Sequence, residues 1–436
     1  MSTKTYDTLG LTLTVRSDGT SVSVGFSDSI AIVGGYDATN AGSSVSPNSA
    51  ETITSASDAA NKFGDGSELH EASKLALNQG VGDIRGVAVA ETTGTTDSFS
   101  STQSGSLSNT PVFDPTVNRE HSIVASDSNS NSIDVQIDYD DSPSAPSSSD
   151  TINLNPSTGN WKADAAGTYD ITYDYGDYTS GIQEAVGLDV RYVIVLTEND
   201  SVTSTLSTEL STRASNFDFK RGVVGVHPEV ASNNIGSHTP NEDDQRIVRV
   251  APARGTVDEE VRLAAGVGAL AASVPVGDSI TYDTVGGLTN LRTKYLASEA
   301  DDASRITVLT SDYEVAEGVT TSSTAEFQDI HKVEIVDTVA QALHEIAKTY
   351  AGGPNIADAR KDLRSDMVGT LGNFASQRPP LLATGDGTRP YSVTTSQGAS
   401  DDEMQVEVGI EPLPIAKEVT LDLAVGNVVT FNGASA

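Results

Sequence analysis

The apolar residues of this chain change their spacing along its length, and that change limits the fold more than any other feature. At the N-terminal end they alternate: Leu9, Leu11, Leu13 and Val15 are separated by Gly10, Thr12 and Thr14. A period of two belongs to a half-buried strand. Ser17, Asp18 and Gly19 form a turn signal, after which Val22, Val24 and Phe26 open another strand. Residues 30–33 are a continuous apolar run closed by Gly34 and Gly35, as a strand buried on both faces requires. Helical and strand spacing then take turns. Residues 56–63 read as a short helix capped by Ser55 or Ser57. Residues 67–79 read as a second helix with Leu69, Ala72, Leu75 and Ala76 on one face and Gly80 closing it, and 85–90 as a strand. This succession is an α/β unit.

The pattern breaks after Ala90. Residues 92–109 are almost entirely Thr, Ser, Gly and Gln, a composition expected of a flexible linker. Strict alternation follows, with Ile133, Val135, Ile137 and Tyr139 set between Asp134, Gln136 and Asp138. Ile152 and Leu154 continue it, and Tyr169, Ile171, Tyr173 and Tyr175 alternate with Asp170, Thr172 and Asp174. Residues 93–180 are therefore expected to be an inserted all-β, sandwich-like domain with an acidic outer face.

The α/β pattern then resumes. Strands are expected at 192–196, 222–226, 247–251 and 306–309, and helices at 202–214, 258–273, 333–350 and 357–374. Gly352, Gly353 and Pro354 close the third of these helices. Alternation returns at the end, in Met404, Val406, Val408 and Ile410 and again in Val419, Leu421, Leu423 and Val425. The expected organisation is an N-terminal arm at 1–24 and a discontinuous α/β (α+β) core at 25–92 and 181–417. The β insert occupies 93–180, and a C-terminal arm 418–436. No internal repeat of about 20 to 50 residues is present.

Charge decides which partners are reasonable. Asp plus Glu number 61 against 26 Lys plus Arg, a formal net charge of -35 spread along the whole chain. Such a surface repels itself in dilute buffer. At about 1 M salt the Debye length is roughly 3 Å and the repulsion is screened, so the chain reads as salt-adapted. The same balance disfavours nucleic acid, which needs a basic footprint. The chain has no cysteine, which excludes disulfides and thiolate metal sites. The first ten residues lack a basic stretch followed by an apolar run, so cytoplasmic synthesis is expected. Residues 264–276 are too short and interrupted to span a bilayer.

Chemistry-bearing patterns are sparse. Gly64 to Gly66 and Gly385 to Gly387 read as turns, because no basic residue and helix start follow them. His70, His121, His227, His238, His331 and His344 show no metal-ligand spacing. The run from Asp127 through Asn129 and Asn131 to Asp134 resembles a calcium loop but lacks its Gly and Glu. No metal or cofactor is expected. Arg360, Lys361 and Arg364 share one helix face, either paired with Asp358, Asp362 and Asp366 or facing an acidic partner.

The order of motifs resembles one family, the contractile tail sheath proteins. Gly25, Phe26 and residues 30–35 (IAIVGG) look like that family's first core strand. Residues 52–58 (TITSASD) with Phe63 and Gly64, then 69–77, 78–80 (NQG) and 87–89 (VAV), are similar to its next helix, turn and strand. The helices at 333–350 and 357–374 with a paired-strand ending resemble its core domain. The likeness covers 25–90 and 185–425. The family's PGVYV-type motif is missing, and residues 6–15 stand in its place.

The resemblance implies a structural subunit and no enzyme. Such subunits stack as six-membered rings around a tail tube, and their terminal arms lend strands to neighbouring subunits. On that basis Leu9, Leu11, Leu13, Val15, Val419, Leu421, Leu423 and Val425 are the expected inter-subunit arms, and Arg360, Lys361 and Arg364 a tube-facing stripe. Burying four such side chains yields a gross ~6 to 12 kcal/mol before ordering costs. The implied partners are the chain itself, the tail tube, and the baseplate and tail terminator proteins, with no nucleic acid and no membrane insertion. The implied setting is a haloarchaeal virion tail, assembled in the host cytoplasm, that contracts to drive the tube through the envelope for genome ejection. A cell-encoded injection machine is a close alternative. A surface adhesin, which predicts a secretion signal, and an α/β enzyme, which predicts a convergent polar constellation, are the readings from other classes.

Overall fold

A computed structural model describes residues 4–8, 11–15, 28–38, 40–42, 45–108, 123–138, 143–155, 159–226, 235–236, 239–258, 260–300, 305–384, 386–398 and 403–414. The chain packs as two compact units. The smaller comprises Met1–Gly25, Val276–Thr281 and His331–Ala436, and the larger Phe26–Pro275 and Tyr282–Ile330. Packing thus places divisions near 276 and 331, where the sequence pattern gives no break. The chain opens with a two-stranded antiparallel pair, β1 (Lys4–Thr8) and β2 (Leu11–Val15), with Tyr6 opposite Leu13 and Thr8 opposite Leu11.

The larger unit begins with β3 (Ser29–Gly34), every residue of which is buried. Next come β4 (Ala50–Ile53), α1 (Ala56–Phe63), α2 (Glu68–Leu77) and β5 (Asp83–Ala88). Ser55 caps α1 by accepting the Asp58 N–H at 3.1 Å, and Ser67 caps α2 by accepting that of His70 at 3.3 Å.

The insert follows as β6 (Glu91–Ser106), β7 (Val124–Asp127), β8 (Ser132–Ile137), β9 (Thr151–Leu154) and β10 (Asn160–Gly176). Two expectations are corrected here. The Ser- and Thr-rich stretch at 92–109 is no linker over its described part but the long strand β6. Cross-strand bonds hold its polar face, Thr96 to Thr172 at 2.7 Å and Ser98 to Asp170 at 2.6 Å, while Phe99 turns inward. Threonine suits a pleated surface, so the composition signals a strand as readily as a linker. Nor is the insert a two-sheet sandwich. It is one five-stranded sheet, ordered β6-β10-β7-β8-β9, in which β9 returns to pair with β10. The 17-residue β10 makes this possible. An irregularity between Lys162 and Gly167 bends it, so Tyr169 faces Asp127 of β7 while Trp161 faces Leu154 of β9. Inside the curl Trp161 is 1% exposed, with ring centres 4.8 Å from Phe99 and 5.5 Å from Tyr169.

The chain then re-enters the α/β layers through α3 (Tyr178–Gly187), β11 (Tyr192–Val195), α4 (Asp200–Ala214), β12 (Arg221–Gly225) and β13 (Ile247–Ala251). A small antiparallel sheet of β14 (Arg254–Thr256), β15 (Glu260–Arg262) and β16 (Asn290–Leu291) surrounds α5 (Ala264–Ser273) in sequence. The helix α6 (Ala297–Ala300) and β17 (Thr307–Val308) complete this unit. The expected helix at 258–273 is thus a strand followed by a helix. Val261 and Arg262 pair across to Gly255 and Arg254, and this pairing wins over helical propensity. α3 fell across the expected boundary at 180 and was not anticipated.

Seven strands form the main sheet, in the order β17-β13-β12-β11-β3-β5-β4. All pairings are parallel except that of β4, which closes one edge antiparallel. α3 and α4 cover one face, and α2 and α5 the other. On the first face Ile182, Val186, Leu206 and Leu210 meet Val33, Val193 and Val224. On the second, a Cβ at Gly268 would lie 2.7 Å from Ile194, so only glycine allows α5 this close to the sheet.

The smaller unit contains two long helices, α7 (Ile330–Tyr350) and α8 (Ala357–Ser376), and the antiparallel pair β18 (Tyr391–Gln397) and β19 (Met404–Ile410). Ile335, Val339, Leu343 and Ala347 of α7 pack against Leu363, Met367 and Leu371 of α8. The inner faces of β18 and β19 join the same core through Val393, Val406 and Val408. The described partner of β19 is β18, which the sequence pattern does not single out.

Candidate functional site

Open parallel sheets bind ligands at the carboxyl ends of their strands, where the strand order reverses. In this sheet the reversal falls between β3 and β11, because β5 lies on the far side of β3. The crevice there is filled by the chain's own ions. Glu68, the first residue of α2, accepts the Gly35 N–H at 2.7 Å with one oxygen and the Arg262 Nε at 2.5 Å with the other. Arg262 also pairs with Glu198, which follows β11. Glu198 in turn accepts Arg254 Nε at 3.4 Å, Arg254 lies 3.7 Å from Glu260, and Glu260 accepts Arg292 at 2.8 Å. Glu68, Glu198, Arg254 and Arg262 are all buried.

Electrostatics explain why the ladder must be complete. Burial pushes the Glu68 carboxyl above its ordinary range, and the Arg262 guanidinium and the Gly35 N–H oppose that rise. Burial alone would depress Arg262, but the Glu198 and Glu68 carboxylates, with Tyr178, together outweigh it and the group is held firmly charged. Tyr178 is pushed upward by burial and then by Glu68, and its hydroxyl donates to the Leu196 carbonyl at 3.2 Å.

A cleft of 990 Å³ lies beside this ladder, lined by Tyr175, Asp177, Asn199, Asp200, Pro240 and Arg249 among others. Three of its polar groups are held within the chain. Asp177 caps α3 through the Ser180 N–H at 3.1 Å, and Asn199 caps α4 through the Ser201 N–H at 2.9 Å. Arg249 is fixed by Glu242 at 2.5 Å, Asp200 at 2.6 Å and the Gly225 carbonyl at 3.0 Å.

The weaker sequence candidates find local roles. Asp127 accepts the N–H groups of Asn129 and Asn131, each at 2.8 Å, and so closes the β7–β8 turn. Hydrogen bonds from Asn131 hold its carboxyl below the usual range. His70 accepts the Gly66 N–H at 2.9 Å. Gly64 and Gly66 both have positive φ, as turn glycines do. Among the described residues no group of acidic and histidine side chains could hold a metal, and no helix is long and apolar enough to cross a membrane.

The hairpin β18–β19 is built the opposite way. The Gly398 N–H donates to Glu403 at 2.8 Å and the Glu411 N–H to Pro390 at 2.8 Å, so the even-numbered residues of β18 face β19. Antiparallel alternation then turns the odd ones away. On that outer side the Val393 carbonyl accepts Arg364 Nε at 2.8 Å, and the Thr395 hydroxyl donates to the Arg360 carbonyl at 3.1 Å, so α8 covers β18. By the same alternation Met404, Val406, Val408 and Ile410 direct their N–H and C=O groups away from β18. No described strand pairs with that edge.

The three residues of the expected basic stripe all lie on α8, with different local contacts. Arg364 holds β18, and Arg360 donates to Asn355 Oδ1 at 2.7 Å. Lys361 is exposed. Asp366, one of the expected ion partners, instead accepts the Tyr350 hydroxyl at 2.5 Å. Of the expected arms, Leu11, Leu13 and Val15 lie on β2. Leu9, Val419, Leu421, Leu423 and Val425 lie outside the described residues. The ion ladder was not found by sequence reasoning. The isolated acids Glu68 and Glu198, each beside an apolar run, are the only signal it leaves.

No protein-family model matches the sequence, and no curated protein matches it. Solved structures do. The sheath tail protein of Listeria innocua is similar over 94% of this chain and 95% of its own, at 14% identity and a TM-score of 0.52. The contracted helical sheath of the anti-feeding prophage is similar over 94% and 97%, at 12% identity and a TM-score of 0.54. The contracted PVC sheath complex of an extracellular contractile injection system is similar over 98% and 99%, at 11% identity and a TM-score of 0.54. At such identities the likeness is one of fold.

Proposed function

We propose that this chain is the structural subunit of a contractile tail sheath, stacking as helically arranged rings around a tail tube and shortening on triggering. The observation that carries the reading is the fold likeness to three sheath proteins over nearly the full length of each. Fold alone does not give function. The open edge of β19 adds support, since it offers backbone groups for strand addition. On this reading the segments around Leu9 to Val15 and Val419 to Val425 are arms donated to neighbours, and β19 is the edge that receives one. The insert faces outward, and Lys361 leads the contact with the tube. Baseplate and tail terminator proteins complete the partners.

The setting we propose is a haloarchaeal tailed virus, with sheaths assembled in the host cytoplasm and contraction serving genome ejection. The charge of -35 motivates the salt-loving host. A cell-encoded injection system is the second reading, favoured by the two injection-machine sheaths among the similar structures. Gene neighbourhood separates the two. Electron microscopy of particles, with this chain labelled, is expected to place it in a striated tube. Label confined to capsids or cell surfaces defeats the proposal. Deleting 1–16 or 418–436 is expected to leave folded subunits that do not polymerise.

A further inference from the structure

We infer that the buried ladder of Glu68, Arg262, Glu198 and Arg254, which Glu260 continues toward the surface, is a clamp indifferent to salt, which keeps the larger unit folded at ionic strengths too low for copies of this chain to associate. Its second half rests on the sheath reading, and its first half does not.

Three observations lead there. The chain carries a net charge of -35, and Arg119 and Lys162 are the only basic residues between Glu91 and Gly176. Removing salt lengthens the range of this self-repulsion, from roughly 3 Å at 1 M to roughly 30 Å at 0.01 M. Exposed ion pairs cannot be relied on as a counterweight, being worth little even when formed. The ladder is different in kind. Glu198 and Glu68 have side chains 0% and 2% exposed, so counterions do not reach them and their pairs are nearly independent of added salt.

Its connectivity also suits the task. Glu68 stands on α2, Glu198 follows β11, Arg254 opens β14, and Glu260 and Arg262 lie on β15. Segments far apart in sequence are thus tied to the ends of two central strands, β3 through the Gly35 N–H and β11 through Glu198. Self-repulsion must break this tie before the main sheet can open. Desalting should therefore separate subunits without unfolding the larger unit, and restored salt should allow reassembly.

The test is amide hydrogen exchange of the full chain at about 1 M and about 0.01 M salt, reading residues 30–34 and 192–195, with sedimentation followed in parallel. Slow exchange at both strengths is expected for the native chain. Arg262→Ala is expected to exchange at least about tenfold faster in those strands at low salt than at high. Loss of protection in the native chain at low salt overturns the inference. So does a variant with the native salt response. If Arg262→Ala folds at neither strength, Arg262→Lys, which keeps a charge but loses the bond to Glu68 and the paired geometry, decides: greater salt sensitivity than native supports the clamp, and unchanged sensitivity overturns it. A chain that keeps protection but never sediments as tubes defeats the sheath reading alone.

Discussion

The two ends of interest in this molecule treat unsatisfied groups in opposite ways. At the carboxyl end of the main sheet, Glu68, Arg262, Glu198 and Arg254 are buried and each charge meets its opposite. At β19 the backbone of Met404, Val406, Val408 and Ile410 meets no strand within the described chain. In α/β folds the first place is where chemistry is done, and the second is an exposed edge that proteins usually guard. Here the usual site is crossed by the chain's own ion pairs and the usual liability is left open. The contrast lies between charges neutralised inside the chain and backbone groups left at its edge.

Several changes would break or sharpen that contrast. The largest effect is expected for Arg262→Ala, which leaves the buried Glu68 without its arginine and Glu198 with Arg254 alone. Unfolding by denaturant at high salt should show a loss of about 3–5 kcal/mol. The loss should also depend on pH. Without Arg262 nothing but the Gly35 N–H opposes the upward push of burial on Glu68, so its folded pKa stands above the unfolded value of about 4.3. The deficit is then full at neutral pH and shrinks as pH falls through the raised value. A loss below about 1 kcal/mol, as exposed pairs give, would show that water reaches the crevice.

Met367→Ala tests the floor beneath the open hairpin. Met367 is wholly buried between α7 and the β18–β19 pair, and the cost should be about 2–5 kcal/mol by the same measurement. Val406→Pro removes an outward N–H and no hairpin bond, so it should leave the subunit folded while abolishing tubes seen by microscopy. Val406→Ala, which keeps that N–H, controls for lost packing and should still polymerise. Tubes from the proline variant would place strand addition elsewhere. The smallest change in stability, within about 0.5 kcal/mol, is expected for Lys361→Glu, an exposed residue on α8. Its effect should appear only as weaker retention of the tube in pull-down, and unchanged retention would remove Lys361 from that contact.

Much of the architecture was legible in the residues, for identifiable reasons. Continuous apolar runs such as residues 30–33 and 192–195 can only be strands covered on both faces, and the Ser55 cap announced α1. The failures share a cause. β6 has almost no apolar residue besides Phe99, so its identity rests on the partner β10, which lies some 70 residues away at Tyr169. The helix expected at 258–273 lost its first turn to pairing with β14 for the same reason. The ladder was invisible because its members stand far apart in sequence, and an isolated Glu reads as surface. The open edge was half legible: alternation showed β19, but only the Arg364 bond to Val393 tells which edge of the hairpin is covered.

One placement has a practical consequence for all of this. Trp161 is the only tryptophan of the chain, and it sits inside the curled sheet of the insert against Phe99 and Tyr169. Its fluorescence therefore reports on that curled sheet alone. A melting curve followed by this emission is silent about the helices and hairpin of the smaller unit, whose rings are tyrosine and phenylalanine. An apparently stable protein by this optical signal could already have lost the structure of its smaller unit. A tryptophan introduced at Phe374 of α8 would give the second half of the molecule its own voice.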